Sequence, residues 1–352
     1  MRALSKILLI TLLALLAFGT STAYACGCGI YIPREGDANV SQERALVRWD
    51  GQREDIVLSL GVLGGSKQAA IIMPVPAKAD VKLADVNLFD QLTELTKPLE
   101  REEIDWVFFP SLGSGAMPPE GALGAGAPPV NVLSRQTIGP FDVANLAATD
   151  TNALQTWLDD NGFQLDTSVI AMMQPYVADN WTFVAVRMSP DQAAAQLSGD
   201  LQPLWISFPS LTIVYPMRAS ANAANPQTLF LYVLADHRID KQNAFGISRV
   251  AYADWVEPST LSAAPALAPL VSRKFFLTKF IDTVNPSQVD ADFNFATAPQ
   301  DTPFREVIVH RVQRDLSGLV LLACFGIVVL GIIGFIALIV VLSRRRRAPA
   351  AA

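Results

Sequence analysis

Hydrophobic and polar positions fall into three regimes along the chain. An uncharged apolar run at residues 7–18 comes near the start, and a longer one at residues 319–342 comes near the end. Between them lie short segments whose apolar positions repeat every two residues, as in strands, or every three to four, as in helices. Residues 44–49 and 55–62 flank Asp50-Gly51, a tight-turn pair, and predict a hairpin. Gly64, Gly65 and Ser66 predict a second turn, and residues 69–75, AAIIMPV, a third strand of a β-meander. Pro74 and Pro76 place that strand at an edge or near its own end. Val86, Phe89, Leu92 and Leu95 recur at helical spacing across residues 85–96, and Pro98 stops that helix. Residues 104–109 and 130–137 read as strands. Asp150 and Asp166 are placed to cap two helices, one carrying Leu154, Trp157 and Leu158, the other Val169, Met172 and Met173. Asn161-Gly162 ends the first of them. Residues 181–188, 204–208, 211–215, 228–235, 246–252 and 304–312 suit strands, and residues 274–284 fit either strand or helix. The pattern predicts an α+β chain: a β-rich antiparallel ectodomain with a few short helices, plus one C-terminal transmembrane helix.

The two terminal runs predict location. Residues 1–25 read as a secretory signal peptide, with Arg2 and Lys6 before the apolar run and Ala23-Tyr24-Ala25 at the cleavage point. Residues 319–342 carry no charge and no proline, and about 20 apolar residues span a bilayer core. Arg344, Arg345, Arg346 and Arg347 follow at once and favour the cytoplasmic side. The expectation is a single-pass type I cell-membrane protein. Residues 26–316 would form the extracytoplasmic α+β region, as one domain or two subdomains, and residues 343–352 a short basic cytoplasmic tail. Residues 111–130 are rich in Gly, Pro and Ala and read as a flexible surface loop. No Gly-Lys-Ser/Thr ends that run, which excludes a phosphate-binding loop of the P-loop kind.

Charge and reactive side chains narrow the picture. The net charge is −6 with the terminal arginines included, so the outer region is the more acidic part. That argues against nucleic acid as a partner. Of three cysteines, Cys324 lies in the apolar run, which leaves Cys26 and Cys28 for an exported disulfide, a bridge elsewhere, or lipidation at Cys26. Two thiolates are half a tetrahedral zinc site, and His237 and His310 lie far apart, so no metal or other cofactor is expected. No G-x-S-x-G, H-E-x-x-H or dinucleotide fingerprint occurs, and no catalytic residue is assigned. Trp157, Phe163, Tyr176 and Trp181 are candidates to line a ligand site, but their spacing reads first as core. Asp159 and Asp160 are adjacent, point different ways on a helix, and read as a solvated helix end.

The order of features resembles a bacterial family catalogued as domain of unknown function 2330. The matching stretches are ACGCG, AAIIMPVP, WLDDNGF, WTFVAVRM and PLWISFPSLTIVYPMR, which cover most of residues 26–280. The resemblance implies an exported, membrane-anchored architecture and carries no activity or catalytic residue. Together the sequence supports a binding or interaction module at the bacterial cell envelope, held to the lipid bilayer by its helix. Its partner would be an envelope protein or a cell-wall ligand. The competing readings are an envelope hydrolase with a dispersed acidic site and an accessory subunit of a membrane complex.

Overall fold

A computed structural model describes residues 24–26, 29–34, 39–66, 68–107, 131–138, 141–147, 153–163, 167–188, 197–223 and 225–346. Most of the signal-peptide stretch, Cys28, residues 111–130, Asp150, Asp166 and Arg347 lie outside them. The chain divides into two compact units, and β-strands dominate both the count of elements and the core.

The expected hairpin is present as β3 (Asn39–Trp49) and β4 (Arg53–Ser66). Gly51 turns it at φ 92°, where a side chain is disfavoured. Asp50 Oδ1 accepts the N–H groups of Gln52 and Arg53 at 3.2 and 2.9 Å, which closes the turn.

The next strand departs from the expected meander. β5 (Ala69–Val75) leaves the hairpin and joins a second sheet, because all seven of its residues are buried and need cover on both faces. That six-stranded antiparallel sheet runs β1-β2-β5-β10-β9-β8, with β1 (Tyr24–Cys26), β2 (Gly29–Pro33), β8 (Asn131–Ile138), β9 (Phe141–Ala147) and β10 (Thr182–Met188). β5 is therefore interior, although β2 pairs only with Ala69–Ile72. Pro74 lies past that stretch, where only β10 needs a ladder partner, so its missing N–H costs little.

The larger sheet has nine strands. Its path is β18-β15-β16-β13-β3-β4-β12-β6, with β11 paired to β4. The strands are β6 (Asp80–Leu83), β11 (Leu197–Asp200), β12 (Leu204–Pro209), β13 (Gln227–Ala235), β15 (Gly246–Val256), β16 (Phe275–Val284) and β18 (Phe304–Arg305). Only β3 and β13 pair in parallel along it. Of the ambiguous residues 274–284, Phe275–Val284 form the strand β16. The strand expected at residues 211–215 is absent: only Tyr215 bridges to Phe293, Leu211 is 83% exposed, and the Val214 N–H is taken by the Glu54 carboxylate at 2.9 Å.

Alternation along the strands builds four layers. Tyr31, Ile71, Val184, Val47, Leu58, Leu231 and Val233 fill the space between the sheets. Behind the six-stranded sheet, Ile72, Leu146 and Phe183 meet α2 (Ala153–Asp160) and α3 (Thr167–Ala178). Behind the nine-stranded sheet, Leu46, Tyr232, Leu234 and Phe275 meet α1 (Leu88–Leu95) and the tight turns at Pro258–Ala263 and Pro265–Leu267. The expected glycine stop is real: Gly162, at φ 77°, donates to Asp159 and Phe163 to Leu158, a Schellman closure. Asn180, at φ 58°, ends α3 in the same way.

The second compact unit takes in, of the described residues, 99–107 and 307–346. It holds β7 (Leu99–Val107) and β19 (Val307–Asp315), a two-stranded parallel ribbon, and α4 (Ser317–Arg346). Residues Gly318–Ser343 of α4 are long and apolar enough to cross a membrane, with mean hydropathy 3.2 and no burial.

Candidate functional site

Two short elements create the site. β14 (Ile239–Lys241) pairs with β17 (Phe295–Thr297) and sets Lys241 opposite Phe295. β16 places Phe280 and Asp282 on one face and Lys279 on the other, by strand alternation. The Lys241 ammonium reaches the Asp282 carboxylate, and their side chains are only 2% and 3% exposed. Phe293 lies under the ammonium at 4.0 Å from ring centre, and Phe280 at 5.5 Å. Phe245 stacks on Phe293 at 5.3 Å between centroids, and Phe295 meets it edge-on. An ion pair thus sits in an aromatic cage, where each charge depends on the other. The second carboxylate oxygen of Asp282 is buried with no hydrogen-bond donor among the described residues.

A cleft of ≈460 Å³ opens beside this pair. Asp240, Lys241, Gln242, Asn243, Ser248, Arg249 and Phe280 line it. One backbone and one side-chain bond fix its wall: Gln242 N donates to Asn294 O at 2.8 Å, and Asn243 Oδ1 accepts from Asn294 N at 2.8 Å. Asn243 Nδ2 in turn reaches Asp292 O at 2.9 Å. Arg249 reaches both oxygens of Glu306 at 3.1 Å and is about half exposed. Between the lining residues Ala244 and Ser248, Gly246 has φ 131°, and an added Cβ would lie 2.3 Å from Thr283 O.

A node on Asp292 holds the neighbouring loop. Its Oδ1 accepts the N–H groups of Met217 and Arg218 at 2.7 and 3.1 Å, and the Tyr176 hydroxyl donates to the same oxygen. This ties α3 to the turn at Arg218–Asn222. Burial and the nearby Asp292 charge raise the Tyr176 pKa, so the phenol stays neutral.

The family comparison bears on this body of the chain. The model of a family described as uncharacterized protein conserved in bacteria, DUF2330, matches residues 22–296. The chain belongs to this family. No curated protein and no solved structure matches it. The matched residues of this DUF2330 protein take in the cleft wall and the Lys241–Asp282 pair.

The residues singled out from the sequence lie elsewhere. Cys26 ends β1, next to Gly29 in register, and Arg344, Arg345 and Arg346 form the last residues of α4. Cys324 is a free, exposed thiol on that helix. Trp157, Phe163 and Tyr176 are buried in the helix-backed core, with Trp181 packed against them. Asp159 and Asp160 are exposed at the end of α2. None of these reaches the cleft lining. Lys241, Arg249 and Asp282 gave no motif, since their spacing in sequence matches no signature. One signal was legible: FFLTKFIDTV sets a lysine and an aspartate within an apolar strand.

Two further buried charges shape the electrostatics. Burial lowers the Lys241 pKa, and Asp282 opposes that shift. Lys279, on the opposite face, is lowered to about 8, chiefly by burial and then by Arg249. Its ammonium donates to Thr96 Oγ1 at 3.0 Å. Glu54 is fully buried, and burial raises its pKa well above the ordinary value. Among the described residues no group of three His, Cys, Asp or Glu side chains is placed to hold a metal ion. The cleft offers hydrogen-bond donors and acceptors, one exposed guanidinium and an aromatic wall. That chemistry suits binding a small polar molecule.

Proposed function

We propose that this DUF2330 protein is a membrane-anchored binding module of the bacterial cell envelope, with the Lys241 cleft as its ligand site. The single observation that carries the reading is a polar cleft of ≈460 Å³ beside a buried, caged ion pair. Buried charges of this kind concentrate at functional sites. α4 supplies the anchor. Arg344, Arg345, Arg346 and Arg347 favour a cytoplasmic C-terminus and an outward-facing body, after removal of residues 1–25. The ligand class is a cell-wall fragment carrying a carboxylate and amide groups: its carboxylate would exchange with Glu306 on Arg249, and its amides would meet Gln242 and Ser248.

The test is a melting-temperature screen of the full-length protein in nanodiscs against soluble peptidoglycan fragments. A fragment that raises the midpoint for wild type and fails to do so for Arg249→Ala supports the reading. Turnover of a fragment, abolished by one cleft substitution that leaves folding intact, would instead establish the hydrolase reading.

A further inference from the structure

The β7–β19 ribbon is an unusual object to leave in water. Parallel pairs are the weaker kind, and even an antiparallel two-stranded hairpin is marginal alone. Every described side chain from Val307 to Arg314 is exposed, and those from Leu99 to Asp105 are exposed apart from a half-buried Glu103. Large apolar groups stand on it uncovered: Leu99 at 52%, Val307 at 49% and Ile308 at 43%. Its own ion pairs are long and solvated, with His310 to Glu100 at 3.6 Å and Arg311 to Glu103 at 4.0 Å. Such pairs stabilise little. Both outer edges of the ribbon lack a strand partner among the described residues. Each edge is a ready template for a further strand, and the charges it carries restrict which strand can add.

Charge indicates which partner fits. β7, LEREEIDWV, carries four carboxylates and one guanidinium. β19, VIVHRVQRD, carries two guanidiniums, a histidine and one carboxylate. One open edge is acidic and the other basic. The chain is thus complementary to itself, head to tail. Strand direction agrees. The register is parallel, from Val307 against Leu99 to Asp315 against Val107. Copies held upright in one membrane by α4 present their ribbons in the same direction, so the next strand added is again parallel. This step rests on the anchoring reading above.

We infer that a second copy of this chain docks on the ribbon, its acidic β7 edge against the basic β19 edge of its neighbour. The contact is heterologous, so it closes into a ring or continues as a row. Opposite charges across neighbouring strands then select register as well as partner.

The experiment counts copies of the full chain, extracted in mild detergent, by native mass spectrometry. Wild type is expected as an oligomer. The β7-reversed variant Glu102→Lys/Glu103→Lys places like charges at the junction and should weaken assembly at least about tenfold. The β19-reversed variant Arg311→Glu/Arg314→Glu should do the same. Either variant alone also strains its own ribbon, so the two are then co-expressed with different tags. Each then meets a complementary edge only on the other, and mixed oligomers should reappear. A monomeric wild type overturns the proposal. So does assembly that survives reversal, which would place the contact on α4 or another surface, and so does failure of the mixture to reassemble. Membrane fractionation of the same samples reports the anchoring reading separately.

Discussion

Two buried side chains, Lys279 and Glu54, carry opposite pH predictions for the stability of this protein. The folded pKa of Lys279 is about 8, below the ordinary 10.5, so between those values the unfolded chain binds more protons. Stability must therefore rise with pH across that window, by up to roughly 3 kcal/mol. Lys279→Met removes the slope, and parallel denaturant titrations at pH 8 and 10 of variant and wild type read the difference. Glu54 acts with the opposite sign. Its raised pKa makes the folded state the better proton binder, so its stabilising effect is complete below about 4.5 and fades as pH climbs through the raised value. Glu54→Gln keeps the shape without the charge. It should gain on wild type in melting midpoint as pH goes from 4.5 to 7. Removing one member of the caged pair is harsher: Asp282→Ala leaves an ammonium 2% exposed and should cost about 3–5 kcal/mol in chemical denaturation.

Elements were legible in the sequence to different degrees, for physical reasons. The Asp50-Gly51 hairpin and the Gly162 helix stop depend on contacts within a few residues, and both formed as expected. The destination of β5 depends on which surfaces cover its two faces, which lie far away in sequence, so a local reading placed it beside β4. Residues 211–215 carry the strand alternation, but their backbone is used by Glu54 and by Ser210 Oγ, which donates to Thr212 O at 2.5 Å. The cleft was not legible for another reason: its lining falls mostly within residues 240–250, whose polar side chains match no signature, and only the fold brings Phe280 and Asp282 of β16 to that stretch. The turn that carries Gly246 makes a sharp local prediction. Gly246→Ala combines an unfavourable φ with a Cβ 2.3 Å from a backbone oxygen, and it should lower the melting midpoint by several degrees while Gly51→Ala, in open space, does less.

At the scale of the whole molecule, the N-terminus raises one question of processing. Tyr24 and Ala25 pair with Tyr31 and Ile30 in β1. Cleavage after Ala25 would remove two of the three residues of that strand. N-terminal sequencing of the membrane-extracted protein should begin at Cys26. A start at or before Tyr24 would keep β1 whole and would contradict cleavage after Ala25. The same material serves for orientation: protease added to intact spheroplasts should digest the body and spare the C-terminal residues beyond α4.

The central claim is that the cleft beside Lys241 binds a ligand, and a variant that fills the cleft tests it most directly. Ser248 lines the space and sits on β15. Isothermal titration of nanodisc-held wild type and Ser248→Trp with soluble peptidoglycan fragments should give binding for the first and none for the second, at matched melting midpoints. Equal binding by both proteins would contradict the account.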